Sequence, residues 1–396
     1  MNIKSSSPDL VAEAILADDI QFQQPVSEHF SEPQAILLTG ATGFLGAHLL
    51  DELLSNSTAK IYCLIRCKEG LTEAKQRLQV HLEFYSLWKK KFSARIIPII
   101  GDLSQALLGL SVEQFERLAT EIDRIYHNGA WVNSVYPYAM LKASNVNGTI
   151  EILRLAGHRR TKSLHFVSTI AVFFNGNNNN SQLILETDCP STALKGGYKQ
   201  SKWVAENLVM AAQQRGLPAN IYRVGRIMGH SKTGINGNFN DLLMSMIKVC
   251  ILVKKYPDWE TSLSLITVDY TAQSLVKLSE LTSNIFHLLN PKNIDWQDFF
   301  TAIQALGYPL EKVSHNQWQV TIQHYVSENK DHKLNRTLRF LLNASNTMRQ
   351  VKPKFDMNHS LTALANCPEV SQELITTWLQ YLQNCGQIPP PLVNHS

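Results

Sequence analysis

At 396 residues, with 44% hydrophobic and 18% charged residues, the chain is long enough for one large or two closely joined domains and too apolar to be disordered. A net charge of +4 on scattered basic residues excludes the electrostatic footprint of a nucleic-acid binder. No apolar run reaches the roughly 18 residues of a membrane span, no secretory pattern opens the chain, and the six cysteines lack zinc spacing, so a cytoplasmic protein with reduced thiols and no stable membrane insertion is expected.

Residues 1–34 read as an acidic leader, with a short amphipathic helix over Leu10–Leu16 followed by an extended linker. Ala35–Thr39 is a compact apolar run ending in glycine, the mark of a buried parallel strand. Further strands are predicted at Ile61–Ile65, Arg95–Ile100, Arg124–His127, Ser163–Ser168 and Asn220–Arg223. Helices are predicted between them at Ala47–Leu54, 71–92, Leu110–Thr120, Ala139–Ala156 and Tyr198–Arg215. The basic run Lys89-Lys90-Lys91 is read as a solvated face and Asn175–Asn180 as a surface loop. Beyond Gly229 the alternation fades: Leu263–Val268 and Ile285–Leu288 look like return strands, and the remainder is mainly helical with Trp296, Phe300 and Trp318 as anchors.

This pattern predicts an α/β fold, a Rossmann-type doubly wound parallel sheet with a smaller, mostly helical C-terminal substrate domain. The expected division is a leader (1–34), a dinucleotide-binding unit (35–230 plus 262–290) and a substrate or lid unit (231–261 plus 291–396).

The first strand runs into Gly40-Ala41-Thr42-Gly43-Phe44-Leu45-Gly46, glycines spaced G-x-x-G-x-x-G between a strand and a helix. Gly40 permits the tight turn, Gly43 lets backbone approach a pyrophosphate, and Gly46 allows close helix–strand packing. The N–H groups of Thr42, Phe44 and Leu45 at the helix start then face the phosphates. The second strand ends at Arg66, a cation where an NAD site would carry a carboxylate, and Arg77 adds a donor from the following helix; both favour the 2′-phosphate of NADPH over NADH. Asp102-Leu103 ends the third strand, with Asp102 either accepting from the adenine amino group or capping a helix. Asn128-Gly129-Ala130 ends the fourth, beside the ribose and nicotinamide.

At the other end, Tyr198 and Lys202 stand four residues apart on one helix face, a phenol to donate a proton and an ammonium to hold its pKa. Thr169, at the end of the fifth strand, is the hydroxyl that polarises a substrate carbonyl, since alternation turns Ser168 the other way. Asn145 either anchors a water or the Lys202 region or makes a helix-bend hydrogen bond; His127 and His165 are read as packing residues.

Together, Gly40–Gly46, Asn145-Val146-x-Gly148-Thr149, Ser168-Thr169 and Tyr198-x-x-x-Lys202 resemble an extended short-chain dehydrogenase/reductase. The wording Gly197-Tyr198-x-Gln200-Ser201-Lys202-Trp203-x-Ala205-Glu206 is similar to the thioester reductase domains that release products from nonribosomal peptide and polyketide synthases, and to those of carboxylic acid and aminoadipate reductases. Arg223-Val224-Gly225-Arg226-Ile227-x-Gly229 and Val268-Asp269-Tyr270 fit the same family, which usually has proline at the place of Val224. The likeness extends over nearly the whole chain, including a leader (Asp9–Ile20) like the segment joining a carrier domain to such a reductase.

The resemblance implies reduction, with NADPH, of an acyl thioester held on the phosphopantetheine of a carrier protein. The oxygen is bound by Thr169 and Tyr198, Tyr198 donates the proton, Lys202 binds the nicotinamide ribose, and Arg223 and Gly225 join the cofactor site. Collapse of the hemithioacetal releases an aldehyde, which some members reduce further to an alcohol. A monomer is expected. The alternatives are a fatty acyl-CoA or acyl-carrier reductase, a reductase of simple ketones or nucleotide sugars, and, from another class, a regulator that senses NADPH without turnover.

Overall fold

A computed structural model of the protein describes residues 8–27, 29–174, 183–239, 241–281, 284–328, 332–348, 353–363 and 367–391. Asn175–Asn180 lies outside them. Seven strands, β1 (Ala35–Thr39), β2 (Lys60–Ile65), β3 (Ile96–Ile100), β4 (Arg124–His127), β5 (Ser163–Thr169), β6 (Ala219–Val224) and β7 (Ile285–Leu288), form one sheet in the order β7-β6-β5-β4-β1-β2-β3. Every neighbouring pair is parallel. The order reverses between β1 and β4, which opens a crevice beyond their carboxyl ends, where ligands bind in such sheets.

Strand alternation builds the two faces. Ile36 and Leu38 of β1 join the apolar cluster that holds α1 (Phe44–Asn56) and α2 (Leu71–Phe84), whereas Leu37 joins the cluster on the other face. That second face is covered by α3 (Val112–Glu121), by α4 (Tyr138–Lys142) running through a π-turn (Ala143–Asn147) into α5 (Gly148–Gly157), and by α6 (Gly197–Gln214). A third cluster forms around Trp296, Phe299, Phe300, Trp318 and Trp378. It is built by α7 (Leu242–Val253), α9 (Trp296–Ala305), α10 (His315–Glu328), α11 (His332–Met348) and α12 (Gln372–Asn384), while α8 (Val268–Leu278) belongs to the sheet face of α1.

Three elements depart from expectation. The helix predicted over 71–92 ends at Phe84: Leu87 N–H donates to Leu82 O, Ser86 adopts φ 60°, and a 3-10 turn follows at Lys90–Arg95. Within the basic run, Lys89 pairs with Asp51 of α1 at 2.7 Å, while Lys90 and Lys91 are exposed. The strand predicted at Leu263–Val268 is divided and does not enter the main sheet, whose edge beside β6 is taken by β7. Ser262–Leu263 pairs antiparallel with Ile294–Asp295, Leu265–Thr267 pairs with Arg226–Met228, and Val268 already opens α8. Leu263 and Leu265 therefore pack in the third cluster.

The leader is not an extended linker. Asp9 caps a single turn, Leu10–Glu13, and Leu16, Ile20 and Phe22 are buried in the core. Arg215, at the end of α6, donates to the carbonyls of Leu16, Ala17 and Ile20 at 2.7–2.9 Å. All six cysteines are free thiols.

Candidate active site

The turn after β1 is closed by Gly43 N–H donating to Gly40 O at 2.9 Å. A Cβ on Gly46 would lie 1.9 Å from the Gly40 carbonyl oxygen, and one on Gly40 would meet the Gly129 Cα at 2.8 Å. No side chain fits between these backbones. Gly43, the N-cap of α1, supplies no side-chain cap, so the N–H groups of the first turn keep no protein acceptor of that kind.

Under this turn a hydrogen-bond chain fixes β1 against β4. Gly129 N–H donates to Thr39 Oγ1 (2.8 Å), and Thr39 Oγ1 bonds His127 Nδ1 (2.8 Å). His127 Nε2 bonds Thr149 Oγ1 (3.0 Å), whose hydroxyl donates to Asn145 O (2.8 Å). Because the Thr149 proton is committed, Nε2 must be the donor and Nδ1 the acceptor from Thr39. Burial pushes His127 down to about 3, keeping it neutral. His165 is likewise a packing residue, stacked on Tyr126 and bonded to Tyr222.

Arg66 and Arg77 are exposed beyond β2, and Arg77 donates to the Arg66 carbonyl, which brings the two arginines to one place. Glu69 is turned into its own loop, accepting from Lys68 N–H at 3.1 Å. Asp102 Oδ1 accepts from the N–H and hydroxyl of Ser104, both at 2.8 Å, so one of its oxygens caps the local turn. Leu103 packs under Gly129, where a Cβ would meet its Cδ1 at 2.8 Å. Asn128 reaches back to Gly40 O at 3.4 Å, and Ala130 follows half-buried.

The other half of the site stands on α6. A Cβ on Gly197 would lie 2.4 Å from Tyr138 N, so glycine lets the helix start abut the segment entering α4. Gln200 Nε2 donates to Leu194 O (3.0 Å) and Trp203 Nε1 to Pro190 O (2.8 Å), tying the first turns of α6 to the segment before it. Tyr198 is half-buried, its hydroxyl makes no hydrogen bond among the described residues, and burial pushes its pKa up to about 12. One turn on, Lys202 is buried with Nζ donating to Val167 O of β5 at 2.6 Å and lying 4.1 Å from the Phe166 ring centre. Desolvation lowers it to about 7, against the opposing pull of Glu206. Thr169 ends β5, two residues past that carbonyl, and its Oγ1 accepts from Ala171 N–H at 3.2 Å.

Asn145 sits in the π-turn. Its Oδ1 accepts from Trp131 N–H (2.7 Å), and its Nδ2 donates to Trp131 O (3.1 Å) and Ser201 Oγ (3.0 Å). Ser201 in turn donates to Tyr198 O at 2.9 Å. Both N–H groups of Asn145 are thus committed, and its contact is with Ser201 rather than Lys202. Its side chain thus ties the end of β4 to the Tyr198 turn.

One cofactor assignment is corrected. Arg223 is fully buried: its five N–H donors meet Glu206, the carbonyls of Glu186 and Asp188, and His287. None remains for a dinucleotide. Gly225, half-buried, gives its N–H to Leu288 O at 2.9 Å and lies close to Leu289.

The cluster around Arg223 escaped the sequence reading. Ser168 donates to Glu206 Oε2 and Arg223 pairs with Glu206 Oε1 at 2.8 Å, joining β5, β6 and α6 directly behind Lys202. Glu186, also buried, accepts from the N–H groups of His287 (2.9 Å) and His359 (2.8 Å). The available signal was an arginine inside an apolar strand together with a carboxylate one turn past Lys202, since a buried charge needs a partner.

Residues 38–275 match the family profile NAD_binding_4, described as Male sterility protein. The solved terminal R domain of the myxalamid polyketide–nonribosomal peptide pathway is 39% identical, covers 96% of this chain and is itself covered to 98%, with a TM-score of 0.88. The chain belongs to the reductase domains of this family. As such it is an oxidoreductase of the short-chain dehydrogenase/reductase superfamily with a nicotinamide-dinucleotide-binding fold. A linear gramicidin synthase polypeptide of Brevibacillus parabrevis is 42% identical over 95% of the chain, but the reductase domain spans only 8% of that protein's length. A thiolation-reductase di-domain from an archaeal nonribosomal peptide synthetase is 26% identical with a TM-score of 0.74, over 95% of this chain and 79% of that one. No helix among the described residues of the reductase domain is long and apolar enough to cross a membrane.

Proposed function

We propose that the protein reduces an acyl or peptidyl thioester, carried on the phosphopantetheine arm of a carrier protein, with NADPH, releasing an aldehyde. The observation that carries this reading is the unpartnered Tyr198 hydroxyl above a buried Lys202, two strands from a glycine turn that admits only backbone. The uncapped start of α1, with Gly40, Thr42, Gly43, Phe44, Leu45 and Gly46, fits a pyrophosphate. Arg66 and Arg77 would hold the 2′-phosphate, the free oxygen of Asp102 and the side of Leu103 the adenine, Asn128–Ala130 the central ribose region, and Lys202 the far ribose.

NADPH bound there supplies the hydride for the thioester carbonyl. Thr169 and Tyr198 hold the carbonyl oxygen as it gains charge, and Tyr198 gives it a proton. Burial alone makes Tyr198 a poor acid, so the nearby Lys202 cation is needed to stabilise the tyrosinate that remains. Collapse of the hemithioacetal then frees the aldehyde and the carrier thiol. In this reading the helical body around Trp296 and Trp378, residues 231–261 with 291–396, serves as the substrate domain, and one copy of the chain holds the whole site.

Incubation with NADPH and a panel of carrier-bound acyl groups, followed by mass spectrometry, is expected to show aldehyde together with unloaded holo-carrier. Turnover of acyl-CoA with none of the carrier-bound acyl groups would assign the protein to lipid-type reduction instead. Substituting Arg66→Ala is expected to raise the KM for NADPH about 10- to 100-fold, the worth of one charge-assisted phosphate contact, while leaving that for NADH unchanged. Equal effects on both cofactors would remove Arg66 from the 2′-phosphate site.

A further inference from the structure

The stretch from Trp131 to Met140, between the end of β4 and the body of α4, exposes an unusual amount of apolar surface. Of the eighteen exposed large hydrophobic side chains among the described residues, five (Trp131, Val132, Val135, Tyr136 and Met140) fall within these ten positions. The rest are spread over the chain, as scattered surface apolar residues normally are. Val132 and Val135 are 66% and 70% exposed, and residues 128–141 contain no Asp, Glu, Lys or Arg.

This surface is held firmly. Asn145 grips both polar backbone groups of Trp131. Asn133 Oδ1 accepts from Val135 N–H (2.8 Å) and Tyr136 N–H (2.9 Å), and the Trp131 and Tyr136 rings meet edge to face at 5.3 Å. At its end, Pro137 and Tyr138 lie against Gly197, the residue before Tyr198. The segment is therefore bounded on one side by the Asn128–Ala130 run and on the other by the reactive helix. Whatever sits on it stands at the mouth of the site.

We propose that Trp131, Val132, Val135, Tyr136 and Met140 form the docking surface for the carrier domain, an inference that rests on the carrier-thioester reading above. The course of the leader supports this occupant. Glu13 pairs with Lys142 at 2.6 Å and accepts from the Tyr138 hydroxyl at 3.2 Å, so the leader turn lies against the same helix that presents Met140. A structural neighbour holds a thiolation and a reductase domain in one chain. A carrier tethered to the leader would be held beside the patch, where a short tether replaces a bimolecular encounter by an intramolecular one. With no charge in the segment, contact is driven by apolar burial, which makes it weakly dependent on salt.

The test uses the Val132→Asp/Val135→Asp double variant, whose changes lie on exposed side chains outside the catalytic machinery. Its substrates are S-octanoyl pantetheine and a peptidyl carrier domain bearing octanoyl-phosphopantetheine. Titration of the holo-carrier against the protein, followed by fluorescence, reads binding without turnover. The expected result is a rise of about tenfold or more in the KM for the carrier-bound substrate. A parallel loss of holo-carrier binding and an unchanged KM for S-octanoyl pantetheine are expected with it. Equal rises for both substrates would make the segment part of the acyl or pantetheine channel and overturn the proposal. Unchanged carrier binding would overturn it too, as would a wild-type dimer that the variant converts to monomer without altering carrier KM. Wild-type protein that binds holo-carrier through this surface but consumes no NADPH would leave the surface standing and refute the thioester reading.

Discussion

Tyr198→Phe is expected to lower turnover about 10²- to 10⁴-fold, the usual worth of a positioned general acid, with NADPH binding retained. The substitution removes one oxygen from a ring whose hydroxyl makes no hydrogen bond among the described residues, so nothing else in the fold loses a partner. Lys202 keeps its bond to Val167 O, and the glycine turn stands two strands away. Stopped-flow measurement of hydride transfer, with fluorescence titration of NADPH, separates the two effects. Loss of cofactor binding in this variant would mean that the phenol holds the dinucleotide and is not the proton donor.

The second large effect is on stability. Glu206→Ala is expected to destabilise the protein by about 3–5 kcal/mol, because it leaves the Arg223 guanidinium buried without its counter-charge. Ser168 loses its acceptor in the same change. Glu206→Gln should cost less, since the amide oxygen can still accept from Ser168. Urea unfolding followed by circular dichroism measures both. A loss below about 1 kcal/mol for the alanine variant would show that the buried pair does not tie β5, β6 and α6 together.

The sheet was legible because strands buried on both faces are nearly continuous apolar runs, and β1 and β2 are of that kind. The glycine turn was legible from its place between a strand and a helix, and Tyr198 and Lys202 stand one turn apart on α6 as their spacing predicts, because both depend on local geometry. What failed was register. Alternation along β5 turned Ser168 away from the crevice, yet Arg223 was still assigned to the cofactor. Ser168 and Arg223 are register partners in a parallel ladder, and His287 is the partner of Arg223 on the next strand, so the three share one face. Nothing in a single sequence states which residues of two strands lie side by side.

The division of the strand predicted at Leu263–Val268 was illegible for a related reason: Leu265–Thr267 is extended beside Arg226–Met228, whereas Ser262–Leu263 pairs elsewhere. Likewise, the helix predicted past Phe84 has apolar and basic residues that suit a helix, but Ser86 turns the chain so that Phe92 collects Lys89, Lys91 and Arg95 around its ring. Tertiary contact decided both.

The anchoring of the leader bears on where the domain can be cut. Leu16, Ile20 and Phe22 lie in the core, and Arg215 reaches three carbonyls between residues 16 and 20. A recombination junction placed at the first strand would strip buried apolar surface from the reductase and strand a guanidinium. A junction ahead of Asp9 cuts neither, so the leader behaves as a structural part of the reductase fold.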